Sequence, residues 1–345
     1  MPLVCQYLVR DERVNMSEDN VIEVSNLRKL FPVRTGFLRT LFSKQQSYVR
    51  AVDGISFDIK TKEIFGLVGE SGSGKTTAGR LVLKIIDPTS GKIFFKGKNI
   101  TAFTRKDMKP LRQKMQTVFQ DPYESLNPRK NVKDILAEGL RIQKLVNSEK
   151  EAEDRVIKIL EDVKLVPPEE FVTRFPHQLS GGQRQRVAVA RTFILNPEFV
   201  VADEPISMLD VSIRAEILNL FLNLVDEFNV SILYITHDLA TARHMCHRIA
   251  VMYLGKIMEM GTAEDIVYEP LHPYTKALIL AVPVPDPKSR RTKLAVYGEI
   301  PSPINPPPGC RFHTRCPIAE EICRKQEPEL VAKGREHYVA CHKAA

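Results

Sequence analysis

The chain has no tryptophan, and aromatic residues make up only 7% of its 345 positions. A stacking platform for a planar ligand must therefore come from Phe or Tyr. No stretch reaches the roughly 18 unbroken apolar residues of a membrane-spanning helix. The longest candidate, Ala277–Val284, is short and runs into prolines. A secretory signal is also missing, because Arg10, Asp11, Glu12 and Arg13 interrupt the apolar pieces of Met1–Asn20. These absences predict a soluble, cytoplasmic protein with a poorly ordered leader over 1–20. Ordered-looking sequence begins at Val21, so Met16 is an alternative start. No charge sign dominates strongly: 50 basic against 42 acidic residues give a formal +8, spread along the chain as a solvated surface would be. With 43% apolar residues, the composition excludes collagen, coiled coil and wholesale disorder.

What is present reads as alternating strands and helices. Val21–Leu27 alternates as an edge strand does, Val49–Ile59 is a second strand, and Glu63–Val68 is a buried one. Residues 32–48 look like an insertion, with room for a short amphipathic helix. Asn131–Lys144 and Ser148–Val163 are periodic helices. Phe199–Ala202 and Val230–Thr236 are apolar runs short enough for central parallel strands, with helix Ser212–Phe228 between them. Ile249–Met260 reads as a hairpin turning at Leu254–Gly255, and Pro283–Pro308 as an extended strap. The alternation predicts an α/β core around a parallel sheet.

Gly69-Glu70-Ser71-Gly72-Ser73-Gly74-Lys75-Thr76 follows the apolar run Ile64–Val68 and precedes a predicted helix, Thr77–Ile86. Strand, glycine-rich turn and helix are what a phosphate cradle requires. Gly69, Gly72 and Gly74 let the backbone turn so that its N–H groups, with Ser71 and Thr77, converge on phosphate oxygens. Lys75 supplies a point charge for the β- and γ-phosphates, and Thr76 an oxygen for Mg²⁺. Asp203 ends the run Phe199–Ala202 as the acidic partner for the metal, and Glu204 follows as a base that can orient water. Positions 75 and 203 lie 128 apart, far more than one strand–helix–strand unit needs, so a helical subdomain is inserted at about 121–185.

Leu179-Ser180-Gly181-Gly182-Gln183, ahead of a predicted helix Arg184–Leu195, resembles the signature sequence of ATP-binding-cassette (ABC) proteins. The resemblance implies a P-loop ABC nucleotide-binding domain. Its parts are a parallel-sheet core, an antiparallel β subdomain, an inserted helical subdomain and a short Pro/Cys-rich C-terminal extension. It also implies that ATP binds between two head-to-tail subunits. Gln120 then resembles the Q-loop residue that touches Mg²⁺ and water. Ser207-Met208-Leu209-Asp210 resembles the D-loop, with Met208 where Ala is usual, and His237 the switch histidine at the γ-phosphate. Phe31 matches the aromatic that stacks on adenine, with Tyr48 as the alternative. Gln120–Arg129, Asp203–Ser207, His272-Pro273-Tyr274-Thr275 and Gly298–Pro317 narrow the likeness to the oligopeptide/dipeptide importer ATPases, the F-type subunit in particular. That family implies an ATPase unit over 21–265 and an extension over 266–345. The implied partners are a second cassette (a D-type homologue or the same chain), two membrane permease subunits and an extracellular solute-binding protein, with the chain held at the cytoplasmic face of the membrane. No nucleic-acid partner is expected. A soluble ABC protein acting on ribosomes or DNA, and a subunit that binds ATP without hydrolysis, are the competing readings.

Of six cysteines, Cys5 and Cys246 are isolated, while Cys310, Cys316, Cys323 and Cys341 crowd the last 36 residues with spacing C-x5-C-x6-C-x17-C. In a reducing compartment such clustering points to metal ligation rather than disulfides. Four thiolates suit an Fe₄S₄ cluster, which some members of the resembled subfamily hold on similar cysteines. Zinc, with His313 or His337, and free thiols are the alternatives. His244-Met245-Cys246-His247 reads as packing.

Overall fold

A computed structural model describes residues 19–33, 46–121, 125–281, 298–334 and 336–344. Strands β1 (Asn20–Pro32) and β2 (Tyr48–Lys60) open the fold, and β3 (Ile64–Val68) leads into the glycine-rich loop. β4 (Ser90–Phe95) and β5 (Lys98–Asn99) are joined by a tight turn at Lys96–Gly97, both with positive φ. These first strands except β3 form an antiparallel sheet in the order β2-β1-β4-β5. β1 therefore has a neighbour on each side. Its expected edge position is corrected, because alternation reports a buried face and not how many strands flank it.

The larger sheet adds β6 (Met115–Val118), β7 (Phe199–Asp203), β8 (Ser231–Thr236), β9 (Arg248–Tyr253), β10 (Lys256–Thr262), β11 (Val331–Ala332) and β12 (Tyr338–Val339). Its order is β11-β12-β10-β9-β3-β8-β7-β6. The run from β9 to β6 is parallel. All residues of β3, β8 and β9 are buried, as strands covered on both faces must be. Four adjacent strands, β3, β8, β7 and β6, end on the same side. There the loops after them bring Gly69–Gly74, His237, Asp203–Glu204 and Gln120 to one crevice, the usual ligand position in such sheets.

Helices cover the sheet and build a lobe beside it. Helix Val132–Ile142 starts at Asn131, whose side chain accepts the Asp134 amide at 2.8 Å. Helix Glu149–Asp162 starts at Ser148, which accepts the Glu151 amide. Val132, Ile135, Leu136 and Leu140 share one face at helical spacing and pack with Val156, Ile159, Leu160, Val187 and Phe193 in a single core. Among the described residues no helix is long and apolar enough to cross a membrane.

Two helix starts move toward the site. The helix expected over 77–86 runs Lys75–Val82, and the one expected over 184–195 runs Gly181–Phe193. In the first, Gly74 is the N-cap and Lys75, Thr76 and Thr77 form the first turn; in the second, Gly181 and Gly182 enter the first turn behind the Ser180 cap. The segment beyond the expected strap packs into the fold. Phe312 and Val339 are fully buried, Cys310 and Cys323 join the main core, and β12 pairs with β10. Most of the leader, the centre of the 32–48 insertion and much of Pro283–Pro308 lie outside the described residues.

Candidate functional site

β3 delivers its last residue, Val68, into the loop Gly69–Gly74. Gly74 holds φ 106°, and a Cβ there would collide with the Ala51 carbonyl, so only glycine fits. Lys75 opens the next helix and is only 5% exposed. Its Nζ donates to the carbonyls of Gly69 (2.7 Å) and Glu70 (2.9 Å). Burial lowers its pKa, and the nearby Glu204 and Asp203 carboxylates oppose that shift. A third, longer bond goes to Ser73 Oγ at 3.4 Å, and an ammonium held only by neutral oxygens is poised to exchange them for phosphate oxygens.

Thr76 Oγ1 donates to Asp203 Oδ1 at 3.0 Å. Burial raises the Asp203 pKa, so its carboxylate gains from a cation placed beside it. Two hard oxygen ligands, one a carboxylate made costly by burial, fit Mg²⁺. Beyond Asp203 the chain turns through Glu204 at φ 47°, a conformation non-glycine residues seldom hold. That turn brings Glu204 Oε2 to accept from Gln120 Nε2 (3.2 Å) and from His237 Nδ1 (3.1 Å). Since a carboxylate only accepts, Nδ1 of His237 carries the proton in this contact. Gln120 thus offers its amide N–H to Glu204.

A cleft of about 640 Å³ joins these parts, lined by Ser71, Gly72, Gly74, Lys75, Thr76, Thr77, Gln120, Glu204 and His237. Glu70, Val49, Ala51, Leu278 and Pro303 complete its wall. No motif marked Val49, Ala51 or Leu278 as site residues, since none carries chemistry and Leu278 comes from a segment far along the chain. Phe31 does not line the cleft. It lies opposite Val49 in the β1–β2 ladder, 37% exposed, with Lys29 Nζ 5.1 Å from its ring centre. Tyr48 is also exposed, one step along at Pro32.

Ser180, Gly181, Gly182 and Gln183 lie outside this cleft. Ser180 caps its helix by accepting the Gln183 amide, and the Ser180 amide donates back to Gln183 Oε1. A Cβ on Gly181 would meet open space, whereas one on Gly182 would strike Ile213 at 2.9 Å. Asp210 stands at the N-terminus of helix Val211–Phe228 without a side-chain cap bond, also outside the cleft, and Met208 before it is 63% exposed. An anion-seeking helix tip with open space above it, separated from the cleft in the same chain, suits a ligand held by another subunit.

The four C-terminal cysteines converge although their sequence spacing is irregular. Cys310, Cys316, Cys323 and Cys341 line one cavity of about 10 Å³ and are free thiols. Burial pushes the Cys310 thiol up to about 11 and raises Cys316 as well. Among the described residues, no three or more His, Cys, Asp or Glu side chains are drawn together closely enough to hold a metal ion. His337 is committed elsewhere: its Nε2 lies 2.8 Å from fully buried Glu259. His247 accepts the Ile64 amide at 3.1 Å, and Cys246 sits behind Gly66, so that segment packs as its sequence suggested.

A parallel sheet with a phosphate-loop motif, a half-buried Thr76–Asp203 pair, Glu204 between Gln120 and His237, and a Ser180–Gln183 helix tip defines an ATPase of the ATP-binding-cassette class. Family comparison agrees. Residues 52–207 match the family described as ABC transporter, and residues 258–323 match the C-terminal region of oligopeptide/dipeptide transporters. The chain is 45% identical over 329 residues to the oligopeptide transport ATP-binding protein AppF of Bacillus subtilis, covering 94% of this chain and 98% of that one. It is 46% identical to the putative oligopeptide transport ATP-binding protein YkfD of the same organism, covering 93% and 95%. The fold matches a dimeric post-hydrolysis state of the cassette MJ0796 bound to ADP and Pi, with TM-score 0.60 and 26% identity over 70% of this chain and 98% of that one. It also matches CbiO1 of Clostridium perfringens, with TM-score 0.61 and 27% identity over 73% and 92%. The chain belongs to the family of ABC oligopeptide transport ATP-binding proteins.

Proposed function

We propose that this chain hydrolyses ATP to drive import of di- or oligopeptides through separate membrane subunits, from the cytoplasmic face of the membrane. The observation that carries the reading is one crevice holding Lys75, the Thr76–Asp203 pair and the Gln120–Glu204–His237 group, on a chain that also carries the peptide-importer extension. Amides of Ser71–Thr77 and the Lys75 ammonium grip the phosphates. Thr76 and Asp203, with Gln120, hold Mg²⁺, which neutralises charge on the phosphate oxygens. Glu204 accepts a proton from the attacking water, and His237 and Gln120 orient its carboxylate and meet the γ-phosphate side. Phe31 supplies the adenine-facing aromatic. Ser180, Gly181, Gly182 and Gln183 of a second cassette, with its Asp210 loop, close over the nucleotide, and residues 21–265 form the ATPase unit. The partner is a D-type homologue or the same chain, and two permeases and an extracellular solute-binding protein complete the assembly.

The test is reconstitution of the chain with its membrane partners in vesicles. Peptide-loaded binding protein is expected to stimulate ATP hydrolysis and ATP-dependent peptide uptake. Hydrolysis stimulated instead by RNA or ribosomes, or no hydrolysis at all, would overturn the reading.

A second reading concerns the extension. We infer that Cys310, Cys316, Cys323 and Cys341, which line one small cavity but stand too far apart here to hold a metal, would close on an Fe₄S₄ cluster when it is present. The cluster would act as a covalent staple for a segment with little core of its own. Anaerobically purified protein is expected to contain about four iron and four sulfide per chain, falling to background in Cys316→Ser. Stoichiometric zinc, or neither metal, would exclude the cluster.

A further inference from the structure

Residue 70 sits inside the phosphate loop, yet its strongest partners come from the C-terminal extension. Its amide donates to the Tyr274 hydroxyl at 2.9 Å, across 204 positions of sequence. Its carboxylate accepts two bonds from Arg315, at 2.8 and 3.2 Å, across 245 positions. Its carbonyl accepts the Lys75 ammonium and the Ser73 amide. Every polar group of Glu70 is thereby engaged, and the carbonyl that positions Lys75 belongs to a residue anchored from outside the loop.

The anchor is rigid. Tyr274 is 1% exposed and packs its ring against Tyr253 and Phe312, at 4.8 and 5.3 Å between centroids. The Arg315 guanidinium lies over the same two rings, 5.8 Å from Tyr253 and 5.9 Å from Phe312. A two-pronged Arg–carboxylate pair against aromatic faces fixes direction as well as distance. Its side chains are only 12% and 28% exposed, so solvent screens it less than a surface pair. Next along the chain from Arg315 is Cys316 of the thiol pocket.

We propose that Tyr274 and Arg315 are positioning residues for ATP binding: they hold Glu70 by its amide and carboxylate, and through its carbonyl they set where the Lys75 ammonium meets phosphate. This rests on the ATPase reading above. Variants at these two residues would displace the Lys75 ammonium without removing its charge from the phosphates, so the loss should appear in affinity more than in the chemical step.

ATP affinity of the full chain is measured by titration calorimetry, and KM and kcat in the reconstituted complex. Arg315→Met is expected to raise both Kd and KM for ATP by about 5- to 10-fold with kcat within about 2-fold. Arg315→Lys should recover part of that loss, since it restores charge without the fork. Glu70→Gln/Arg315→Met should bind ATP no more weakly than the worse single variant, because both act through one contact. Tyr274→Phe, which keeps the ring, should raise Kd by about 3-fold by stripping a buried amide of its acceptor. Unchanged Kd and KM in Arg315→Met and Tyr274→Phe would overturn the proposal. So would fully additive losses in the double variant, or a fall in kcat with KM fixed. A wild-type chain that neither binds nor hydrolyses ATP would instead fault the ATPase assignment.

Discussion

Glu204→Gln should bind ATP as the wild type does and hydrolyse it on the order of 10²- to 10⁴-fold more slowly, the usual contribution of a positioned general base. The geometry sets this expectation. Glu204 turns out of β7 in a left-handed conformation, and that turn presents its carboxylate to Gln120 and His237. Gln keeps the shape and can still accept a bond from either neighbour. It cannot take a proton from water. The grip of Lys75, Thr76 and the loop amides stays intact, so nucleotide affinity should change little. A hydrolysis-blocked cassette that still grips ATP should accumulate as a dimer if the helix tip at Ser180 closes on a neighbour's nucleotide as proposed. Single-turnover hydrolysis, ATP titration and light scattering with ATP together check these outcomes. A Gln variant with wild-type turnover would remove Glu204 from its role.

Lys75→Met is the second large effect, and it should fail differently. Here nucleotide binding itself weakens, and turnover at saturating ATP falls on the order of 10²- to 10³-fold, as when a preorganised charge on the reacting group is removed. The folded chain should tolerate the change. Burial already disfavours the Lys75 ammonium, and methionine fills similar volume without an ion to desolvate. Apo thermal stability is therefore expected to hold. In the wild type, ATP at about 100-fold its Kd adds about 2.7 kcal/mol of stability, and that increment should vanish in the variant. Differential scanning fluorimetry with and without ATP and Mg²⁺ reads both halves. A variant that melts early without ligand would mean that Lys75 is chiefly structural.

Local patterns carried the parts of the site that are contiguous. The Gly69–Thr76 run contains its own turn geometry, its lysine and its hydroxyl, so eight consecutive residues specify a phosphate cradle wherever the strand before them is placed. Ser180–Gln183 is likewise a self-contained cap, with both bonds of its box made within four residues. The alternation in Val21–Leu27 correctly marked buried residues yet misplaced the strand at an edge, because pairing partners such as Phe95 and Lys60 lie far along the chain. On the adenine side the sequence marked Phe31, and the structure adds the apolar wall of Val49, Ala51, Leu278 and Pro303, with Phe31 paired to Val49 in the β1–β2 ladder.

The amino-acid sequence by itself determined a phosphate-cradle motif, an adjacent Asp203–Glu204 pair at a strand end, and membership among cassette ATPases. Those properties reside in residue types at short, fixed spacing. Only the tertiary structure decided that Gln120, Glu204 and His237 meet at one carboxylate oxygen, that four scattered thiols share a cavity, and that the extension reaches back to hold the phosphate loop through Tyr274 and Arg315. The reason is physical. Contacts across 33 to 245 positions depend on the order of strands in the sheet, which burial of whole faces sets and no short window encodes.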